Sequence, residues 1–121
     1  IFPALQEAGI AALLDPKSEE AVAQLNATYD SRRDAFVQAA AKIGWQAFPS
    51  RGSFYAWMPV PEGYTSESFA DLLLEKAHVA VAPGKGFGPA GDAYVRIGLL
   101  VEPERLVEAV NRIADLHLFN N

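Results

Sequence analysis

The stretch Tyr94-Val95-Arg96-Ile97-Gly98-Leu99, preceded by the loop Pro83-Gly84-Lys85-Gly86-Phe87-Gly88, decides how this chain is read. It sets a fixed positive charge inside an apolar, β-type run, just after a glycine-rich turn. A charge in such a run needs a partner. Side chains alternate across a strand, so Val95, Ile97 and Leu99 share one face and Tyr94, Arg96 and Gly98 the other. The first set is the natural face for a helical layer. On the second, the expected partner of Arg96 is a ligand carboxylate, held on a sheet surface that this chain does not cover by itself.

Working outward, Ser53 to Met58 predicts a second strand, dividing Phe54, Ala56 and Met58 from Ser53, Tyr55 and Trp57. The uncovered face thus carries aromatics and one arginine. In a free-standing domain that is an unusual exposed patch, and it reads better as a surface built against another domain. Trp45 to Phe48 and Val79 to Ala82 predict two further short strands. Pro49 to Gly52 is a hairpin-length turn, which suggests antiparallel pairing of the first two strands.

Helices frame these strands. Ile1 to Leu14 is apolar and alanine-rich with little polar surface, a helix that expects neighbours on most sides. Asp15-Pro16 ends it. A long helix spans Ser18 to Ile43, capped by Asp15 or Ser18, with Glu19 and Glu20 in its first turn. Its buried stripe is Val22, Leu25, Tyr29, Phe36, Ala40 and Ile43, and Gly44 stops it. Thr65 or Ser66 caps a helix reaching about Ala77, with Phe69, Leu72 and Leu73 inward. Pro103 opens the last helix, which turns Leu106, Val107, Val110, Ile113 and Ala114 inward. From the long helix onward the order is helix, strand, strand, helix, strand, strand, helix. The fold class is α+β: a small, largely antiparallel sheet with helices packed on one face.

Composition narrows the function classes. A chain of 121 residues suffices for one core, and 50% hydrophobic with 21% charged residues reads as soluble and globular. The net charge of −5, without a basic stripe, argues against nucleic acid and anionic membranes as partners. Zero cysteines excludes a disulfide framework and thiolate chemistry and fits a cytoplasmic location. His78 and His117, the only histidines, are far apart in sequence, so neither a metal site nor a Ser-His-Asp triad is expected. No apolar run approaches a membrane span, and no signal peptide is visible. The chain begins at Ile1 rather than Met, and is expected to be a piece of something longer or a processed product.

Each chemical candidate has a plainer account. Arg96 is either a carboxylate clamp, its planar fork offering two parallel donors, or a structural arginine paired with a local acid, the commoner arrangement. Pro83 to Gly88 could cradle a phosphate with backbone N–H groups. It matches neither the GxxxxGK[ST] nor the GxGxxG pattern, however, so a strand connection of permissive backbone is the simpler account. Lys85 reads as a solvated lysine rather than a Schiff-base former. Tyr55, Trp57 and Tyr94 either stack on a planar ligand or belong to an interface or core. Arg32-Arg33-Asp34 reads as a solvated helix face with local partners.

Taken together, TYDSRRDAF, IGW, RGSFYAWMPVPEGYTSESFADLLLEKAHVAVAPGKGFGPAGDAYVRIGLL and RLVEAVNRI keep an order and spacing that resembles the C-terminal part of a class I/II aminotransferase, a fold-type-I pyridoxal-phosphate enzyme. The resemblance runs from about Phe2 to Leu118. It implies that residues 1–14 are a helix left over from the large-domain or interdomain region, and that 15–121 form the C-terminal small domain. It implies that Arg96 binds the substrate α-carboxylate, and that Pro83, Gly84, Phe87 and Gly88 shape a loop near the active-site entrance. The segments RGSFYAWMPVPEGYTSESF and VAPGKGFG are most similar to the methionine-salvage type, with LL-diaminopimelate aminotransferases close behind. Asp92-Ala93 and Gly52-Ser53 depart from the family's usual residues beside the arginine strand and before the aromatic strand.

The family's Schiff-base lysine, phosphate cup and ring contacts lie upstream of this segment, and none of Lys17, Lys42, Lys76 or Lys85 sits in a matching context. The resemblance therefore implies no catalytic or cofactor-binding residue here. Pyridoxal 5'-phosphate belongs to the full-length enzyme and is not expected on this fragment, which is expected to be inactive alone. Amino acids and 2-oxo acids are the implied substrates, the large domain of the same chain and a second copy in a homodimer the implied partners. Two other readings keep Arg96 as a clamp. One is a free-standing, non-catalytic α+β module that binds small carboxylates. The other is the same domain from a pyridoxal-phosphate carbon–sulfur lyase.

Overall fold

The computed structural model describes residues 1–119. Helix α1 spans Pro3–Leu14 and α2 Ser18–Lys42. Strand β1 is Tyr55–Pro59. Helix α3, Ser66–Leu72, continues into a π-helical turn over Leu73–Ala77. Strand β2 is only Ala82–Pro83. Two 3₁₀ turns, Gly84–Phe87 and Pro89–Ala93, lead to β3, Tyr94–Gly98, and α4 covers Pro103–Ala114. The sheet is antiparallel in the order β1-β3-β2.

One face of that sheet makes the core. Ala56, Met58, Val95 and Ile97 pack beneath Phe36 and Ala40 of α2, Phe69 and Leu73 of α3 and its π turn, and Leu106, Val110 and Ile113 of α4. The expected α+β layer is present, and α4 buries the stripe its period calls for. Pro103 is its first residue, where the missing N–H costs nothing.

Local caps agree with the sequence in part. Thr65 Oγ1 accepts the Ser68 N–H at 3.1 Å, and Ser68 Oγ accepts the Thr65 N–H at 2.9 Å, a reciprocal capping box. At the end of α2 the Trp45 N–H bonds the Ala40 carbonyl at 2.9 Å and the Gly44 N–H the Ala41 carbonyl at 3.1 Å, with Gly44 at φ 87. That is the left-handed stop expected of Gly44. The start of α2 differs: Lys17 occupies the cap position with no side-chain bond. Asp15 instead accepts the Lys17 N–H at 2.7 Å, and Ser18 Oγ donates back to the Ala12 carbonyl.

Four further expectations are corrected. Residues 45–48 form no strand: Trp45 is 1% exposed and its Nε1 donates to the Pro59 carbonyl at 2.8 Å. Drawn inward that way, the segment keeps one ladder bond, from the Phe48 N–H to the Trp57 carbonyl at 2.9 Å. Phe54 is not on the core face, because Ser53 has φ 69 and breaks the extended run, so β1 starts at Tyr55. The α2 stripe is buried only in its C-terminal half, with Val22 54% and Leu25 53% exposed. Arg32 is not solvated. Its Nη2 meets Glu102 at 3.0 Å and its Nη1 the Leu99 carbonyl at 3.5 Å, pinning α2 to the β3–α4 connection.

Helix α1 contributes no residue to the core, and every position from 1 to 17 is exposed. No helix among the described residues is long and apolar enough to cross a membrane.

Candidate carboxylate site on the uncovered sheet face

Pleating sends Tyr55, Trp57, Tyr94 and Arg96 to the face opposite the core, where all four are half-buried. The register sets Trp57 directly across from Arg96 and Tyr55 across from Gly98. Arg96 therefore stands at the centre of the three strands, with Ala82 of β2 on its other side. Because Gly98 has no side chain, the ring of Tyr55 swings diagonally over the arginine. The Arg96 Cζ lies 4.0 Å from the Tyr55 ring centroid. It lies 4.3 Å from that of Phe87, at the tip of the glycine loop. Both are cation–π distances.

The remaining rings continue the shelf. Trp57 and Tyr94 stack at 5.3 Å with an 18° tilt, Phe48 meets Tyr94 edge-on at 6.2 Å, and Phe87 meets Trp57 at 6.2 Å. On the far side Phe54 packs on Tyr55 at 4.5 Å and on Tyr29 at 5.6 Å. Alternation foretold Tyr55, Trp57 and Tyr94 here; Phe87 and Phe48 arrive from loops.

Among the described residues no carboxylate lies within ion-pair distance of Arg96 and no acceptor takes its N–H groups. The other arginines with an acid beside them show the contrast: Arg32 with Glu102, Arg33 with Asp30 at 2.9 Å, and Arg112 with Glu108. The local acid partner that a structural arginine needs is missing, so the guanidinium is left with an aromatic cradle and an open donor edge. A charged hydrogen bond to it is worth about 1.5–3 kcal/mol. A planar anion of carboxylate shape can take two N–H groups at once.

The glycine loop is more ordered than a permissive connection requires. Gly84 and Gly91 cross so closely that a Cβ on Gly84 would lie 2.0 Å from the Gly91 carbonyl oxygen. Ser66, fully buried, donates from Oγ to Asp92 Oδ1 at 2.8 Å and accepts the Lys85 N–H at 3.3 Å. Sequence reasoning weighed Ser66 only as a cap and missed this tie, whose partners are 19 and 26 residues away. Of the loop residues, Phe87 reaches Arg96, Gly84 carries the crossing, and Pro83 ends β2. Gly88, at φ 130, turns the chain behind Phe87.

Residues elsewhere do not join this site. Lys85 points away to Glu67 at 3.3 Å. His78, at φ 56, closes the π turn and lines a separate cleft of about 390 Å³ with Arg105, Glu108 and Arg112. Its Arg112 is already paired with Glu108. All four lysines are exposed. Against Arg96 the structure places the rings of Tyr55 and Phe87, groups that can flank a planar anion but carry no amine with which to form a Schiff base.

Comparisons with known proteins agree on the kind of chain this is. The family model described as aminotransferase class I and II matches residues 2–113. The chain is 57% identical over 119 residues to L-glutamine--4-(methylsulfanyl)-2-oxobutanoate aminotransferase of Bacillus subtilis, covering 98% of this chain and 29% of that protein. It is 46% identical to LL-diaminopimelate aminotransferase of Moorella thermoacetica, covering 93% of this chain and 28% of the relative. Among solved structures, apo-BacF of Bacillus subtilis superposes with a TM-score of 0.88 at 39% identity, covering all of this chain and 31% of that one. The chain spans less than a third of the length of each.

Proposed function

We propose, from the premise that this chain belongs to the class I and II aminotransferase family, that it forms the small domain of a pyridoxal-phosphate aminotransferase and that Arg96 binds the α-carboxylate of its substrates. One observation carries the reading. Arg96 sits mid-strand on the uncovered sheet face, steadied by Tyr55 and Phe87, with no acid of its own among the described residues.

The role suits the chemistry of the family. An amino acid and a 2-oxo acid differ at the carbon that exchanges the amine, but share the carboxylate beside it. A residue that grips the carboxylate serves both halves of the reaction and aims the reacting carbon. Glutamine and 4-(methylsulfanyl)-2-oxobutanoate, named for the Bacillus relative, are the proposed pair. The groups that hold the cofactor and exchange the amine belong to the remainder of the longer protein. By the same reading, that remainder covers α1, the exposed half of α2 and the outer face of the sheet.

The test is Arg96→Ala in the full-length enzyme. Substrate affinity is expected to fall by about 2–3 kcal/mol, roughly 30- to 150-fold, while cofactor affinity holds. Lost cofactor affinity with substrate binding intact contradicts the assignment.

A further inference from the structure

We propose that Phe87 and Tyr55 are positioning residues, two rings that fix the plane of the Arg96 guanidinium before its ligand arrives. The proposal rests on the reading of Arg96 as the carboxylate ligand and adds what holds it ready. An unrestrained arginine loses side-chain freedom when it binds. One already seated against aromatic rings has lost much of it in advance.

The two rings come from separate elements, Tyr55 from β1 and Phe87 from the loop before β3, and both face the same cation at 4.0 and 4.3 Å. Phe87 is 55% exposed, so core packing does not explain its place. What sets it is the loop beneath. Lys85 and Asp92, either side of Phe87, are both hydrogen-bonded to the buried Ser66 at the start of α3. The Gly84–Gly91 crossing closes the same loop. Trp57 then meets the Phe87 ring at 6.2 Å, from the strand opposite Arg96. The loop is thereby a fixed arm with an aromatic tip, and its tip touches the guanidinium.

The experiment measures binding of butanoate, a plain carboxylate with no group to exchange, to the cofactor-loaded full-length enzyme, followed by the absorbance of the bound cofactor. Phe87→Leu is expected to weaken butanoate about tenfold, between the scales of an exposed and a desolvated cation–π contact. Phe87→Tyr, which keeps a ring, should stay within about twofold of the parent. In an Arg96→Lys background Phe87→Leu should change binding by less than about twofold, because an ammonium has no plane to set. Phe87→Leu indistinguishable from the parent, with Arg96→Lys impaired, overturns the positioning role alone. Equal losses in both backgrounds also overturn it, marking a general disturbance of the loop. Arg96→Lys binding as well as the parent overturns the reading of Arg96 itself, and this inference with it.

Discussion

Trp57 and Met58 are neighbours on β1, yet they live on opposite sides of the molecule. Met58 is 0% exposed beneath the helices, whereas Trp57 lies half-buried on the aromatic shelf beside Tyr94. Arg96 and Val95 repeat the contrast one strand over. The same division separates two helices of equal length. Helices α1 and α4 have 12 residues each and both open with proline, but α4 buries Leu106, Val110 and Ile113 while α1 buries nothing. The difference teaches where this chain's folding information ends. In α4 and on the inner face of β1 and β3, the apolar period coincides with cover supplied by these residues. In α1 and on the outer face of the sheet, apolar and aromatic side chains stand without such cover among the described residues.

The sharpest way to break the comparison is to truncate on each side of it. Met58→Ala should cost about 2–5 kcal/mol of stability, measured by denaturant unfolding, because it opens a cavity in a closed core. Trp57→Leu, one residue earlier, should cost about 0.5–1.5 kcal/mol, the worth of its stacking on Tyr94. Equal losses would mean that the shelf is as much a part of the core as the helical side. Smallest of all, Leu13→Gln on α1 should change the stability of these 121 residues by less than about 0.5 kcal/mol, since Leu13 is 83% exposed. In the full-length protein the same substitution should cost about 1.5–3 kcal/mol if Leu13 is covered there. A loss that is equally small in both settings would remove the case for α1 as a covered helix.

The sequence carried a good deal of this. Period-2 alternation put Arg96 and its aromatic neighbours on one face and Val95 and Ile97 on the other, because a pleated strand has no alternative. The stripe of α4, the Thr65 cap and the Gly44 stop were equally legible, since each depends on residues within a turn or two. What escaped depends on distance. The helical sequence around Arg32 offers it local partners and a solvated face, but its partner is Glu102, 70 residues on. The Ser66–Asp92 tie spans 26 residues with no local signature. The segment from Trp45 has strand-like composition, yet a buried indole bonded to the Pro59 carbonyl bends it out of the sheet. In α2 the period of Val22 and Leu25 is correct while their cover is absent from these residues, which a period cannot reveal.

A crystal structure of the full-length protein with a bound amino-acid substrate or plain carboxylate bears most directly on the role of Arg96. The expected result is a carboxylate coplanar with the guanidinium, each oxygen about 2.8 Å from an N–H nitrogen, with the rings of Tyr55 and Phe87 against the arginine. A carboxylate bound away from Arg96, or a guanidinium found paired with an acidic side chain of the protein, would contradict it.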